Sequence, residues 1–377
     1  MMINEKRLRE NFIKLASIDS PSFGERFMAD EIIISLKNLG FQVSEDKGNE
    51  TYGSQAGNVY GFLKGTLSGE PLLFSAHLDT VEPSGKKKVR FHEDGKLTSE
   101  GDTVLGADDI SGIVEILEAV EAILEEEKEH RDIEVLFTFA EEAFLKGSAV
   151  ADYTKIKSKE AYVLDLEGEI GTYAIKAPTV VAFTATITGK AAHAGFAPAD
   201  GIHAIKAMSE MIAMTPLGIL NDAGEDGTRM NIGTIHGGLG KNIVPAQCVI
   251  EGEIRSLVHE KAMRQLFVFE EGLKETCEKY GTEYSLKYEA PCIAYQVDEF
   301  SDTVVRFRKA CEAAGIIPNP VITFGGSDQN NFALNGINGI VTACGMHQVH
   351  STKEFTYIQE IVNTTKLVYQ LMTGIEI

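Results

Sequence analysis

Leu72-Leu73-Phe74-Ser75-Ala76-His77-Leu78-Asp79-Thr80 is an apolar run that ends in an imidazole and a carboxylate two residues apart. A short apolar run of this kind reads as a strand buried on both faces, as in a parallel sheet. Its exit then carries His77 and Asp79 to the carboxyl edge of that sheet, where ligands of α/β folds sit. A lone histidine after a strand is more often a packed core or surface residue. The reading therefore turns on whether distant segments supply partners.

Three other segments do. Leu105-Gly106-Ala107-Asp108-Asp109 leads into an amphipathic pattern from about Ser111 to Glu127, which places Asp108 and Asp109 at a helix start, where carboxylates also serve as ordinary caps. Ile133 to Ala140 is β-rich and ends in Glu141-Glu142, and the strand-like Ala161 to Leu164 delivers Asp165. Adjacent carboxylates behind a buried strand need a cation or water to remain charged. Near the carboxyl end, a further strand, Gly339 to Cys344, is followed by Gly345-Met346-His347-Gln348-Val349-His350.

The rest of the chain fits an α/β catalytic domain with an insertion. Helical spacing marks Glu5 to Ala16, Glu25 to Leu39, Ser301 to Ala314 and Tyr357 to Met372, while Lys86 to Ser99 alternates around Asp94-Gly95 as a hairpin. From about Pro178 the order becomes βαββαβ: strand Val180 to Thr188, helix Gly201 to Met214, strands Arg229 to His236 and Cys248 to Arg255, helix Glu260 to Tyr280, strand Glu283 to Glu289. That order is a ferredoxin-like α+β unit. The expected domains are 1–177 and 292–377 together, with 178–291 inserted between them.

Composition limits the function. Lys plus Arg total 35 against 56 for Asp plus Glu, a net charge of −21, which disfavours nucleic acid and anionic membrane as partners. The acidic Glu118, Glu121, Glu125, Glu126 and Glu127 read as a solvated helix face. Five dispersed cysteines form no zinc knuckle and read as small buried hydrophobes. Residues 1–10 lack an apolar signal core, and no stretch reaches the roughly 18 apolar residues of a membrane span, so a cytoplasmic location is expected.

Collected, His77, Asp79, Asp108, Glu141, Glu142, Asp165 and His350 form a nitrogen and oxygen donor set without cysteine, suited to zinc, cobalt or manganese in a catalytic site. Two ions about 3.5–4 Å apart need one bridging carboxylate and one or two terminal ligands each, which these residues can supply. An unligated carboxylate is then left to take a proton from water and return it to a leaving amine.

These motifs, in this order around an inserted domain, resemble the peptidase T, carboxypeptidase G and aminoacylase family of cocatalytic metallo-exopeptidases, and within it the peptidase T-like branch. The resemblance spans nearly the whole chain. It implies a zinc-exopeptidase-like mixed α/β sheet sandwiched by helices, with a ferredoxin-like lid and dimerisation domain. It also implies two zinc ions per subunit: His77 and Asp165 on one, Glu142 and His350 on the other, Asp108 bridging, and Asp79 behind His77. Asp109 would cap the helix, and Glu141 would be the general base and acid.

In the inserted domain, Ala192-His193-Ala194-Gly195 resembles the lid motif, with His193 reaching across a homodimer to polarise the scissile carbonyl. Asn242, Arg255 and Gly326 would contact substrate, although an Arg at a strand end is as often a surface ion-pair partner. His347, three residues before His350, is the one other histidine able to compete for metal; His92, His130, His203, His236 and His259 read as surface or packing residues. Phe324, where peptidase T has an arginine before the paired glycines, leaves the recognition of substrate termini open.

The implied activity is cleavage of an amide bond of short peptides by an aminopeptidase of the tripeptidase type. The alternative is an N-acyl amino acid amidohydrolase. A metal-dependent phosphoesterase is disfavoured because no Gly-rich phosphate loop is present, and a non-catalytic binder has no need of Glu141.

Overall fold

The computed structural model describes residues 3–222, 224 and 226–375. The chain divides into two compact units, one formed by residues up to Lys176 and from Gln296 onward, the other by Ala177–Tyr295.

The first unit is built on a mixed sheet. Its principal strands are β1 (Gln42–Glu45), β2 (Val59–Leu63), β3 (Leu72–His77), β4 (Ile133–Thr138), β5 (Glu160–Leu166), β6 (Thr172–Ala177), β7 (Asn319–Ile322) and β8 (Asn338–Ala343). They lie in the order β1-β2-β4-β3-β5-β8-β6, with β7 also on β6. β3 is central and parallel to both neighbours, β4 and β5. Every one of its six residues is buried, which explains the absence of alternation in its sequence.

One face packs Phe74 on Tyr162 at 5.5 Å between ring centroids, and Tyr162 on Phe307 of helix Asp302–Ala314 at 6.4 Å. Helices Glu5–Ala16, Ala107–Glu125 and Ile358–Met372 pack against one another beside it. The opposite face, Leu73, Leu136, Ala161, Val163, Ala174 and Val341, buries Phe332 of the short helix Asp328–Leu334.

One surface expectation fails. Glu118 is 1% exposed and receives two hydrogen bonds from Arg7, Nε to Oε2 at 2.7 Å and Nη2 to Oε1 at 2.9 Å. The helix carries it inward against the amino-terminal helix, so it must be paired, and Arg7 supplies both donors. All five cysteines are buried and none is in a disulfide.

The second unit is an antiparallel sheet ordered Gly218–Ile219, Arg229–Gly237, Gln247–Ser256, Thr179–Thr188, Glu283–Cys292. Helices Ala204–Met214 and His259–Tyr280 cover one face, where Val181, Phe183, Ala185 and Ile187 meet Met208, Met211, Phe269 and Leu273. Its limits differ from 178–291 because the last long strand continues to Cys292 and the following segment to Tyr295 stays with it.

Candidate metal centre

Three parallel strands end at one edge, and their ends carry the chemistry. β3 ends at His77, paired in register with Thr138 of β4, while Asp165 lies at the end of β5. Asp108 arrives from the start of helix Ala107–Glu125, where Asp108 and Asp109 depart from helical dihedrals. Regular helix then begins with Asp109 as its cap, Oδ1 accepting the Gly112 N–H at 3.2 Å, while Oδ2 accepts the His77 N–H at 3.2 Å.

Asp108 stands between two imidazoles. Its Oδ1 lies 2.9 Å from His77 Nε2 and its Oδ2 lies 3.3 Å from His350 Nε2. His350 Nε2 is also 2.9 Å from Glu142 Oε2, and His77 Nε2 is 3.9 Å from Asp165 Oδ1. His77, Asp108 and Glu142 offer donor atoms all within 4.8 Å of one another, and so do His77, Glu141 and Asp165. Asp108, Glu141, Glu142, Asp165, Gly326 and His350 line one cavity of about 190 Å³.

The role of Asp79 is divided in a way its position in sequence does not reveal. Its backbone carbonyl, not its carboxylate, lies 2.9 Å from His77 Nδ1; the nearer carboxylate oxygen is at 3.4 Å. The carboxylate instead accepts the N–H groups of Glu141 at 2.9 Å and Glu142 at 3.2 Å, and the Ser22 hydroxyl at 2.7 Å. With Nδ1–H donated to the carbonyl, His77 in its neutral form would turn an Nε2 lone pair toward Asp108 and the cavity, as a metal ligand requires.

The electrostatics show a site short of positive charge. Burial, then the neighbouring Asp165, pushes the Glu141 carboxyl well above its ordinary range, and burial with Asp108 does the same to Asp165. Burial also raises Glu142. Hydrogen bonds to Asp108 and Glu142 lift His350 to about 10, and the same kind of bonds to Asp108 and Asp79 raise His77 despite a burial effect that lowers it. Glu142 Oε1 is buried with no hydrogen-bond partner. Clustered carboxylates, imidazoles holding protons between them and an orphaned carboxylate oxygen fit divalent cations with mixed oxygen and nitrogen ligation.

The other histidines do not converge here. His347 Nε2 bonds Glu360 Oε2 at 2.7 Å, its ring stacks on Phe355 at 4.8 Å, and, unlike His350, it does not line the cavity. His92 bonds Thr98, His130 bonds the Arg131 carbonyl, and His203 caps a helix.

Within the second unit, His193 pairs with Ile243 across a two-stranded ladder, which sets it beside Asn242. His193 Nδ1 accepts the N–H groups of Gly195 and Phe196, both at 3.1 Å. The proton of the neutral ring is therefore on Nε2. Arg255 sits at the other end of strand Gln247–Ser256, its Nε and Nη2 on Glu253 at 2.8 and 3.0 Å.

Comparison with known proteins places this geometry. Residues 177–281 match the peptidase dimerisation domain and residues 58–193 match peptidase family M28. The chain is 35% identical to the uncharacterized protein YqjE of Bacillus subtilis over 98% of its own length and 99% of that protein's. The crystal structure of aminopeptidase PepT from Bacillus cereus superposes with a TM-score of 0.91 at 33% identity, covering 99% of both chains. The chain belongs to the peptidase T-like M20 metallopeptidases. A tripeptidase structure from Staphylococcus aureus is similarly close, with a TM-score of 0.95 at 28% identity over 99% of both chains.

Two carboxylates that brace this metallopeptidase site receive no role from the sequence. Glu354 accepts the Gly106 N–H at 2.7 Å and the Asp108 N–H at 2.9 Å, fixing the turn that presents Asp108. Glu25 accepts the Ala140 N–H at 3.0 Å and the Phe23 N–H at 2.6 Å, and its other oxygen takes the Ser54 hydroxyl at 2.9 Å. Burial lifts both carboxyls to about 7. Glu25 precedes a helix, where a capping role is the natural reading, and Glu354 lies in Ser351-Thr352-Lys353-Glu354-Phe355, a stretch that resembles the family after His350 without assigning Glu354 a role; neither position announces a distant partner.

Proposed function

We propose that this chain is a cocatalytic aminopeptidase that removes the amino-terminal residue of short peptides, of the tripeptidase type, using two metal ions, zinc in the first instance, per subunit. The observation that carries this reading is Asp108, whose two oxygens face His77 and His350 separately, as a carboxylate bridging two ions must. The printed activities of the Bacillus cereus and Staphylococcus aureus neighbours, an aminopeptidase and a tripeptidase, support the substrate class.

In this assignment His77 and Asp165 hold one ion, and Glu142 and His350 the other. The ions, when bound, supply activation of water and polarisation of the scissile carbonyl. Glu141 is the general base: its carboxyl lines the cavity, its N–H is held by Asp79, and burial raises its proton affinity, so that in its ionised form, which the charge of bound ions would favour, it can accept a proton from water and hand it to the departing amine. Because Glu141 also lies among donor atoms with His77 and Asp165, the choice between base and ligand is decided by experiment. His193, with its proton on Nε2, is assigned as a donor to the carbonyl oxygen as negative charge develops there. The match to a peptidase dimerisation domain supports a homodimer through the second unit, with His193 acting on the partner's site. Asn242, Arg255 and Gly326 are assigned to substrate.

The test is Glu141→Ala with metal content measured beside tripeptide turnover. The expected result is two metals retained and turnover lower by about three orders of magnitude. Loss of one metal would make Glu141 a ligand, and unchanged turnover would remove it from the mechanism.

A further inference from the structure

The cavity has one acidic side chain that neither the metal assignment nor the general-base role of Glu141 uses. Glu167 lies two residues after Asp165 at the end of β5 and lines the same cavity. Glu167 thus stands one residue beyond the strand that delivers Asp165. Glu167 Oε1 accepts the Gln348 N–H at 2.6 Å, which pins the carboxylate by one oxygen. Unlike Asp108, Glu141, Glu142 and Asp165, Glu167 is exposed.

The cavity wall is one-sided in charge. Asp108, Glu141, Glu142, Asp165 and Glu167 line it, and no lysine or arginine does. In an aminopeptidase substrate the free amine sits on the Cα next to the reacting carbonyl carbon, about 2.5 Å from it, so whatever recognises the amine must stand beside the metal ligands. A carboxypeptidase or an acyl amino acid hydrolase has no ammonium at that place.

Building on the aminopeptidase reading, we infer that Glu167 is a specificity-determining residue that receives the α-ammonium group of the substrate and repels substrates carrying a carboxylate on the acyl side. The bound ions offset the charge of their own carboxylate ligands. Glu167, just past the end of β5, leaves one negative charge on the wall, complementary to one ammonium. Its hydrogen bond to Gln348 also braces the loop bearing His350, where Gln348 and His350 both have positive φ, +51° and +57°. A purely structural role is therefore the competing account. Glu167→Gln separates the two, because glutamine keeps an oxygen for the Gln348 N–H and loses only the charge.

The experiment compares trialanine with its des-amino analogue, propionyl-dialanine, in the metal-loaded wild type and in Glu167→Gln. The expected result is an approximately 10-fold fall in the ratio of kcat/KM for trialanine over the analogue, carried by KM, with metal content unchanged. Glu167→Lys is expected to reverse the preference toward succinyl-dialanine, which bears an acyl-side carboxylate. An unchanged ratio in Glu167→Gln would overturn the inference and leave the aminopeptidase reading standing. A drop in metal content with equal losses on both substrates would assign Glu167 to bracing the His350 loop and also overturn it. Failure of the wild type itself to cleave trialanine would overturn the aminopeptidase reading, and this inference with it.

Discussion

Replacing Glu25 by alanine should destabilise the protein more at pH 5 than at pH 8. The side chain is fully buried and accepts the Ala140 N–H, which lies on the turn leading to Glu141, together with the Phe23 N–H. Stranding a buried donor costs about 1–3 kcal/mol, so the two together amount to about 3–4 kcal/mol. Against this stands the cost of keeping the carboxylate charged indoors. Burial, then Asp79, raises its pKa from 4.5 to about 7, which at about 1.4 kcal/mol per pH unit is roughly 3 kcal/mol.

Between those two values the folded wild type holds a proton that the unfolded chain has lost. Its stability from this group is therefore highest below pH 4.5 and falls as pH rises through 7. The alanine variant lacks that fall. Its deficit relative to wild type should be about 3 kcal/mol at pH 5 and shrink by about 2–3 kcal/mol at pH 8. Urea unfolding of both proteins at the two pH values, with EDTA present so that metal occupancy does not vary, measures the difference directly. A deficit that is constant or grows with pH would refute the assignment of Glu25 as a buried acid bracing the Glu141 turn.

On the two-metal proposal, His350→Ala should leave one bound metal per subunit rather than two, and lower kcat/KM by at least about 100-fold; elemental analysis beside a tripeptide assay checks both. His193→Ala should lower kcat by about 100- to 1,000-fold with metal content intact. If His193 serves the partner's site, mixing His193→Ala with Glu141→Ala subunits should restore activity well above that of either variant alone.

The centre of the first unit could be read because its signal is local. β3 is apolar throughout and bears its histidine at the end, and the βαββαβ order of the insertion shows in periodicity alone. Strand Thr172–Ala177 escaped notice because it follows a Gly-containing turn and is cut by Pro178 from the longer strand Thr179–Thr188, so it resembles a linker. Helix Asp328–Leu334 has seven residues, too few to establish a helical period. The metal-type residues stood out by chemistry at strand exits. What sequence could not supply was the bracing: the carbonyl of Asp79 taking the imidazole proton, its carboxylate holding two backbone amides, and Glu25 and Glu354 each closing a turn from far along the chain.

The placement of Asn338–Ala343 between Glu160–Leu166 and Thr172–Ala177 has a consequence for biosynthesis. A ribosome that has finished the inserted domain has released a complete antiparallel unit, yet the main sheet still has a gap where its next-to-last large strand belongs. His350 emerges later still. The nascent chain thus carries a half-built candidate metal site until both Asn338–Ala343 and His350 have been made, so the site closes only after the inserted unit is complete.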